Sequence, residues 1–134
     1  MVADVVGWLP EGAGFGSPTP ARVLDTRHTI SLGAGETIAL ALLDRGGIPT
    51  SGVDAVVLNL TTTGTRGNGY LTTWPAGEAK PNASSLNFSA GQTVANLVIA
   101  KISPQGSISI WNSNDAVHML PTDVLVDVVG WFAA

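Results

Sequence analysis

The chain contains no cysteine, which excludes a disulfide framework and thiolate metal sites. Charge is scarce too. Charged residues make up 12% of the 134, about half of the ~25% common in globular chains. Six Lys and Arg stand against ten Asp and Glu, giving a net charge of −4, and the basic residues are scattered. Phosphate binding needs a basic surplus, so nucleic acid is not an expected partner. There is no run of about 18 apolar residues, so membrane insertion by a helix is not expected either. No stretch repeats its apolar residues with a helical period.

Apolar residues amount to 45%, with 16 Gly and 8 Pro, in a length that suits one domain. Strand-like runs lie near 2–8, 21–26, 36–43, 53–63, 69–75, 84–88, 93–102, 107–112, 115–119 and 123–132. Turn formers separate them: Gly12 to Pro20, Gly46-Gly47 with Pro49, Asn68-Gly69, Pro75 to Pro81, Pro104 with Gly106, and Pro121. Such spacing predicts an all-β domain of nine or ten short strands, an antiparallel β-sandwich of the jelly-roll or immunoglobulin-like kind. A β-trefoil or open barrel is the alternative. Alternation assigns faces. Val56, Leu58 and Leu60 share one face, and Val57 and Asn59 the other. Val94, Val98 and Ile102 oppose Ala95, Leu97 and Ile99. With both faces apolar, 53–63, 93–102 and 123–132 are expected among the most buried strands. Ile108 and Ile110 point inward, while Ser107, Ser109, Trp111 and Ser113 point outward.

The start of the chain recurs at its end. Residues 2–8 read Val-Ala-Asp-Val-Val-Gly-Trp and residues 125–131 read Leu-Val-Asp-Val-Val-Gly-Trp, at an offset of 123. This predicts a tandem array, with 1–9 the last strand of a preceding repeat and 10–134 a single module. A leader peptide is not expected at the head of such a repeat. Val2, Val5 and Val6 are too apolar for a free tail, so the segment is expected to pair within the domain or with a neighbouring chain.

Several strings together resemble a known repeat module. They are Pro20-Ala-Arg-Val-Leu-Asp-Thr-Arg27, Gly46-Gly-Ile-Pro49, Ala55-Val-Val-Leu-Asn-Leu-Thr61, Gly69-Tyr-Leu-Thr72 with Trp74-Pro75, Ser85-Leu-Asn-Phe88, Ala90-Gly-Gln-Thr-Val-Ala-Asn-Leu-Val98 and Val126-Asp-Val-Val-Gly-Trp-Phe132. The chain is similar over nearly its whole length to a repeat module of secreted and cell-surface actinobacterial proteins, found beside hydrolase, amidase or lipase domains or in tandem arrays. The resemblance implies export, an extracellular setting and an accessory role. It brings no catalytic residues with it.

The residues themselves point the same way. His28 and His118 lack metal-ligand spacing, no Ser occupies a Gly-x-Ser-x-Gly elbow, and Glu11, Glu36 and Glu78 sit singly in or beside turns. Neither an enzyme, a metal nor a cofactor is expected. The Asn112-Ser-Asn-Asp115 turn offers oxygen ligands but not the spacing of a calcium loop. Arg22, Asp25 and Arg27 form a charge cluster in a charge-poor chain. A structural ion-pair network with Asp127, which lies among valines, is expected, because a half-buried carboxylate needs a partner. Tyr70, Thr72 and Trp74 share one face of their strand, and Trp111 follows an outward serine rhythm. Rings beside hydroxyls and amides suit sugars, whose C–H faces stack on aromatics. Tyr70, Thr72, Trp74, Trp111 and Asn112 are therefore the candidate ligand residues, and a polysaccharide is the candidate ligand. The competing expectation is a structural spacer or self-assembling surface module, docking to neighbouring repeats or identical chains through its terminal strands.

Overall fold

The computed structural model describes residues 1, 10–12, 14–113 and 120–134. Among them are nine strands and no helix. They are β1 (Phe15–Gly16), β2 (Ala21–Asp25), β3 (Thr37–Ala41), β4 (Val53–Thr63), β5 (Gly69–Pro75), β6 (Leu86–Phe88), β7 (Val94–Lys101), β8 (Ser107–Asn112) and β9 (Asp123–Ala133). One antiparallel sheet runs β1-β9-β4-β7, with β2 also paired to β9; the other runs β3-β8-β5-β6. The two sheets pack together as a β-sandwich. Neither closes on itself among the described residues, so the predicted sandwich is the architecture and there is no closed barrel. The predicted strands at 2–8 and 115–119, with His118 and Asp115, lie outside the described residues.

The core follows from alternation. Val56, Leu58 and Leu60 of β4 and Val124, Val126 and Val128 of β9 point inward. They meet Leu40 of β3, Leu71 of β5, and Ile108 and Ile110 of β8 from the opposite sheet. Each such fully buried side chain stabilises the fold by about 1.5–3 kcal/mol relative to exposure. Polar atoms inside are matched. Thr26 donates its hydroxyl to Asp123 at 3.1 Å and accepts the Val124 amide at 2.9 Å.

Three expectations need correction. The 93–102 segment is not a buried central strand, because among the described residues β7 stands at the end of its sheet, paired with β4. Its outward residues Leu97 and Ile99 are 56% and 65% exposed. Apolar residues on both faces reflect burial on one side only here. Second, a strand was not expected between Gly12 and Pro20, yet β1 forms there; two residues, one a glycine, give no alternation to read. Third, simple alternation along 123–132 places Leu125, Asp127, Val129 and Trp131 on one face, yet Trp131 does not share a face with Asp127. The β4–β9 register shifts between Val57, opposite Gly130, and Leu58, opposite Val128. Val129 is the extra residue of this bulge, so Trp131 turns inward opposite Val56 and packs against the core.

The bulge prepares an interlock with β1. Phe15 pairs with Phe132 and Gly16 with Trp131. A Cβ on Gly130 would stand 2.5 Å from the Phe15 ring, and one on Gly16 would stand 2.1 Å from the Trp131 indole. Each strand thus supplies a glycine on which the other strand's ring lies.

Candidate functional site

The outer face of the second sheet carries the aromatic candidates. In β8, Ile108 and Ile110 enter the core while Ser107, Ser109 and Trp111 face out. Trp111 stands between Thr37 of β3 and Thr72 of β5. In β5, Leu71 enters the core, so Tyr70, Thr72 and Trp74 lie on the outer face.

The segment 76–85 folds over part of that face. Trp74 donates its indole N–H to the Glu78 carbonyl at 3.0 Å and is 9% exposed. Thr72 donates its hydroxyl to the Ala83 carbonyl at 2.8 Å and is buried. These two candidates belong to the seat of a loop and not to an open platform. Turn residues Pro75 to Pro81 marked the loop, but not the direction in which it folds. Asn112 is also misplaced among the ligand residues. It continues the inward rhythm of Ile108 and Ile110, is fully buried, and donates its amide to the Leu32 carbonyl at 3.0 Å.

Tyr70 and Trp111 remain. Both are partly exposed, and their rings meet edge to face with centroids 5.7 Å apart. They line an open groove of about 500 Å³ with Asn68, Gly69, Phe88, Ser89 and Ser113. Ser113 is fixed to β5: its hydroxyl accepts the Tyr70 amide at 2.8 Å, and its amide donates to the Tyr70 carbonyl at 3.0 Å. Asn68 is fixed through its side-chain oxygen, which accepts the Ala90 amide at 3.1 Å. Lys80 comes down from the 76–85 loop and places its ammonium 4.2 Å from the Trp111 ring centre. Asn68, Ser89, Ser113 and Lys80 were not among the sequence candidates. Only the serine rhythm of β8 pointed toward any of them.

The charge cluster lies on the outer face of the other sheet. Arg22 grips Asp127 with two hydrogen bonds of 2.8 and 3.0 Å. Arg27 binds Asp25 at 2.6 to 3.2 Å, and Arg22 reaches Asp25 at 3.7 Å. The hydrogen bonds from Arg27 hold the Asp25 carboxyl well below the usual carboxylate range. The bond to Asp127 raises the Arg22 guanidinium further above its already high value. Every charge of the cluster faces an opposite one, and the Arg22–Asp127 pair fastens β2 to β9 beside the register shift between Arg22 and Leu24.

A cleft of about 520 Å³ opens elsewhere, between the turns around Thr50–Asp54, Pro75–Glu78 and Lys101–Pro104. Its ion pair, Lys101 with Asp54 at 3.8 Å, is well exposed on both sides. Among the described residues, no group of three or more His, Asp or Glu side chains could hold a metal ion.

Comparison with known protein families found no family that matches the chain, and comparison with curated proteins found no significant match.

Proposed function

We propose that this chain is a non-catalytic, extracellular accessory module that binds carbohydrate in the groove of Tyr70 and Trp111. The observation that carries this reading is the partly exposed pair of rings, 5.7 Å apart, in an open groove rimmed by Asn68, Ser89 and Ser113. Pyranose C–H faces stack on aromatic rings, while sugar hydroxyls need the amides and hydroxyls that the rim offers. The site is shallow, so one module binds weakly, and repetition in a tandem array would supply avidity. The resemblance to repeat modules of secreted actinobacterial proteins supports an extracellular setting and a polysaccharide of the cell wall or environment as ligand.

Lys80 adds a discriminating feature. A sugar stacking on Trp111 must displace the ammonium that now lies over the ring. For a neutral glycan, Lys80 competes with the ligand. For a uronic or otherwise acidic sugar, the displaced ammonium can pair with the ligand's charge.

A glycan array, followed by pull-down on the polysaccharides retained, tests the proposal. Wild type should be retained, and Tyr70→Ala and Trp111→Ala should lose retention while staying folded, with a cooperative melt. Retention that survives both changes would favour the second reading, a structural spacer. That reading is supported by the apolar Leu97 and Ile99, exposed on the end strand β7, and by the duplicated terminal strand.

A further inference from the structure

We propose, on the reading of the Tyr70–Trp111 groove as a carbohydrate site, that it selects acidic glycans. The sugar ring lies on the aromatic side chains, and its anionic group is taken by Lys80 and Arg66. Two observations support this independently: where the chain leaves its cations unpaired, and which hydrogen bonds the groove still has to give.

Six Lys and Arg stand against ten Asp and Glu. Three of the six pair with carboxylates: Arg22 with Asp127, Arg27 with Asp25, and Lys101 with Asp54. Arg45 donates to the carbonyls of Ala41 and Val23. The other two, Arg66 and Lys80, have no carboxylate partner among the described residues. Both belong to segments that border this groove. Lys80 holds its ammonium 4.2 Å from the centre of the Trp111 ring. Arg66 sits in the turn between β4 and β5, two residues before the rim residue Asn68. That turn is fastened to the opposite rim, where the Thr65 hydroxyl reaches the carbonyls of Ser89 and Gln92 at 3.0 and 2.7 Å. Glu78, two residues before Lys80, lines the separate cleft beside Thr50–Asp54. No carboxylate among the described residues lines the groove, although acids outnumber bases in the chain.

The rim is also rich in donors. Asn68 spends its side-chain oxygen on the Ala90 amide at 3.1 Å, which leaves the two hydrogens of its amide nitrogen to give. Ser113 takes the Tyr70 amide on its hydroxyl oxygen at 2.8 Å, which leaves its O–H to donate. The Trp111 indole and the two cations can only donate. A neutral sugar hydroxyl both donates and accepts, so such a rim satisfies it in part. A carboxylate or phosphate oxygen only accepts, and its hydrogen bonds from charged donors are the stronger kind. Because Lys80 rests on a ring and not on an acid, an acidic sugar gains its charge without displacing a carboxylate. An ammonium reads charge more than shape, so the carboxylate of a uronic acid and the phosphate of a sugar ester are served alike.

Matched glycans test this with the full chain: polygalacturonate against its methyl ester, and a phosphorylated mannan against the same mannan freed of phosphate. At low salt, at least one acidic member should bind about fivefold more tightly than its neutral partner, the size of one exposed charge contact. Added salt should shrink the preference, and the pair that shows it identifies the anion. Lys80→Gln should act with crossed signs, weakening the acidic member and sparing or strengthening the neutral one, because the Trp111 ring is uncovered. Lys80→Arg should keep the preference, and Arg66→Gln should reduce it. A change that merely loosened the 76–85 loop would weaken both members alike. The proposal is overturned if Trp111-dependent binding is no tighter for either acidic member, a result that leaves the groove a neutral-sugar site. It is overturned equally if neither Lys80→Gln nor Arg66→Gln lowers the preference, or if Lys80→Gln weakens both members alike. If no member of either pair is held through Trp111, the carbohydrate reading falls as well.

Discussion

Arg22 and Asp127, 105 residues apart in sequence, hold each other through two hydrogen bonds of 2.8 and 3.0 Å across the β2–β9 pair. The pair is bidentate, but Arg22 is 44% exposed, so water screens part of its strength. Asp127→Ala should destabilise by about 1 kcal/mol and lower the melting temperature by roughly 3–6 °C. Asp54→Ala removes one partner of a looser, well-exposed pair and should stay within about 0.5 kcal/mol. Thermal melts of the two variants compare them directly. Equal effects would mean that Asp127 is no more than a solvated carboxylate.

The Phe15–Gly130 contact predicts a compensating pair of changes. Gly130→Ala drives a methyl to within 2.5 Å of the Phe15 ring and should destabilise by about 1–3 kcal/mol. In the Phe15→Ala background the same change meets no ring. A double-mutant cycle by urea unfolding should show strong non-additivity. Additive effects would show that the ring does not rest on Gly130.

Trp74 and Trp111 should part company on substitution. Trp74 is buried beneath the 76–85 loop with its N–H bound to Glu78, so Trp74→Ala should cost about 3–5 kcal/mol. Trp111 is partly exposed on the groove, so Trp111→Ala should cost about 1 kcal/mol. Urea midpoints at constant slope separate the two.

Asp25 gives an acid-side prediction with a definite sign. Hydrogen bonds from Arg27 lower its carboxyl in the folded state, below the ordinary Asp value of about 4. Its contribution is therefore complete above that ordinary value and is lost as pH falls through the lowered one. Asp25→Asn should flatten the fall of melting temperature below about pH 4 and leave the rest of the profile parallel to wild type. Added salt should shrink the difference, because the pair is open to solvent. An unchanged acid limb would remove Asp25 from the network.

Much of the sheet architecture was legible because alternation survives wherever one strand face is buried. Val56, Leu58 and Leu60 and the β8 pair Ile108 and Ile110 announce both sheets. β7 misled because Leu97 and Ile99 are apolar without being covered, and strand position in a sheet is not encoded in alternation. Trp131 misled because one bulged residue reverses every later face. At the candidate site, Tyr70 and Trp111 were readable from periodicity. The burial of Thr72 and Trp74 was not, since it depends on how a loop folds back. Asn112 was readable and missed: it continues the inward series of Ile108 and Ile110.

A titration of the isotope-labelled module with a retained polysaccharide, followed at the indole N–H signals of its four tryptophans, tests carbohydrate binding most directly. Binding in the groove predicts that the Trp111 signal moves with saturation, together with the amides of Tyr70 and Ser113, while the Trp74 signal stays still. No movement at Trp111, or movement confined to Trp131 and the terminal strand, would contradict a carbohydrate site in this groove.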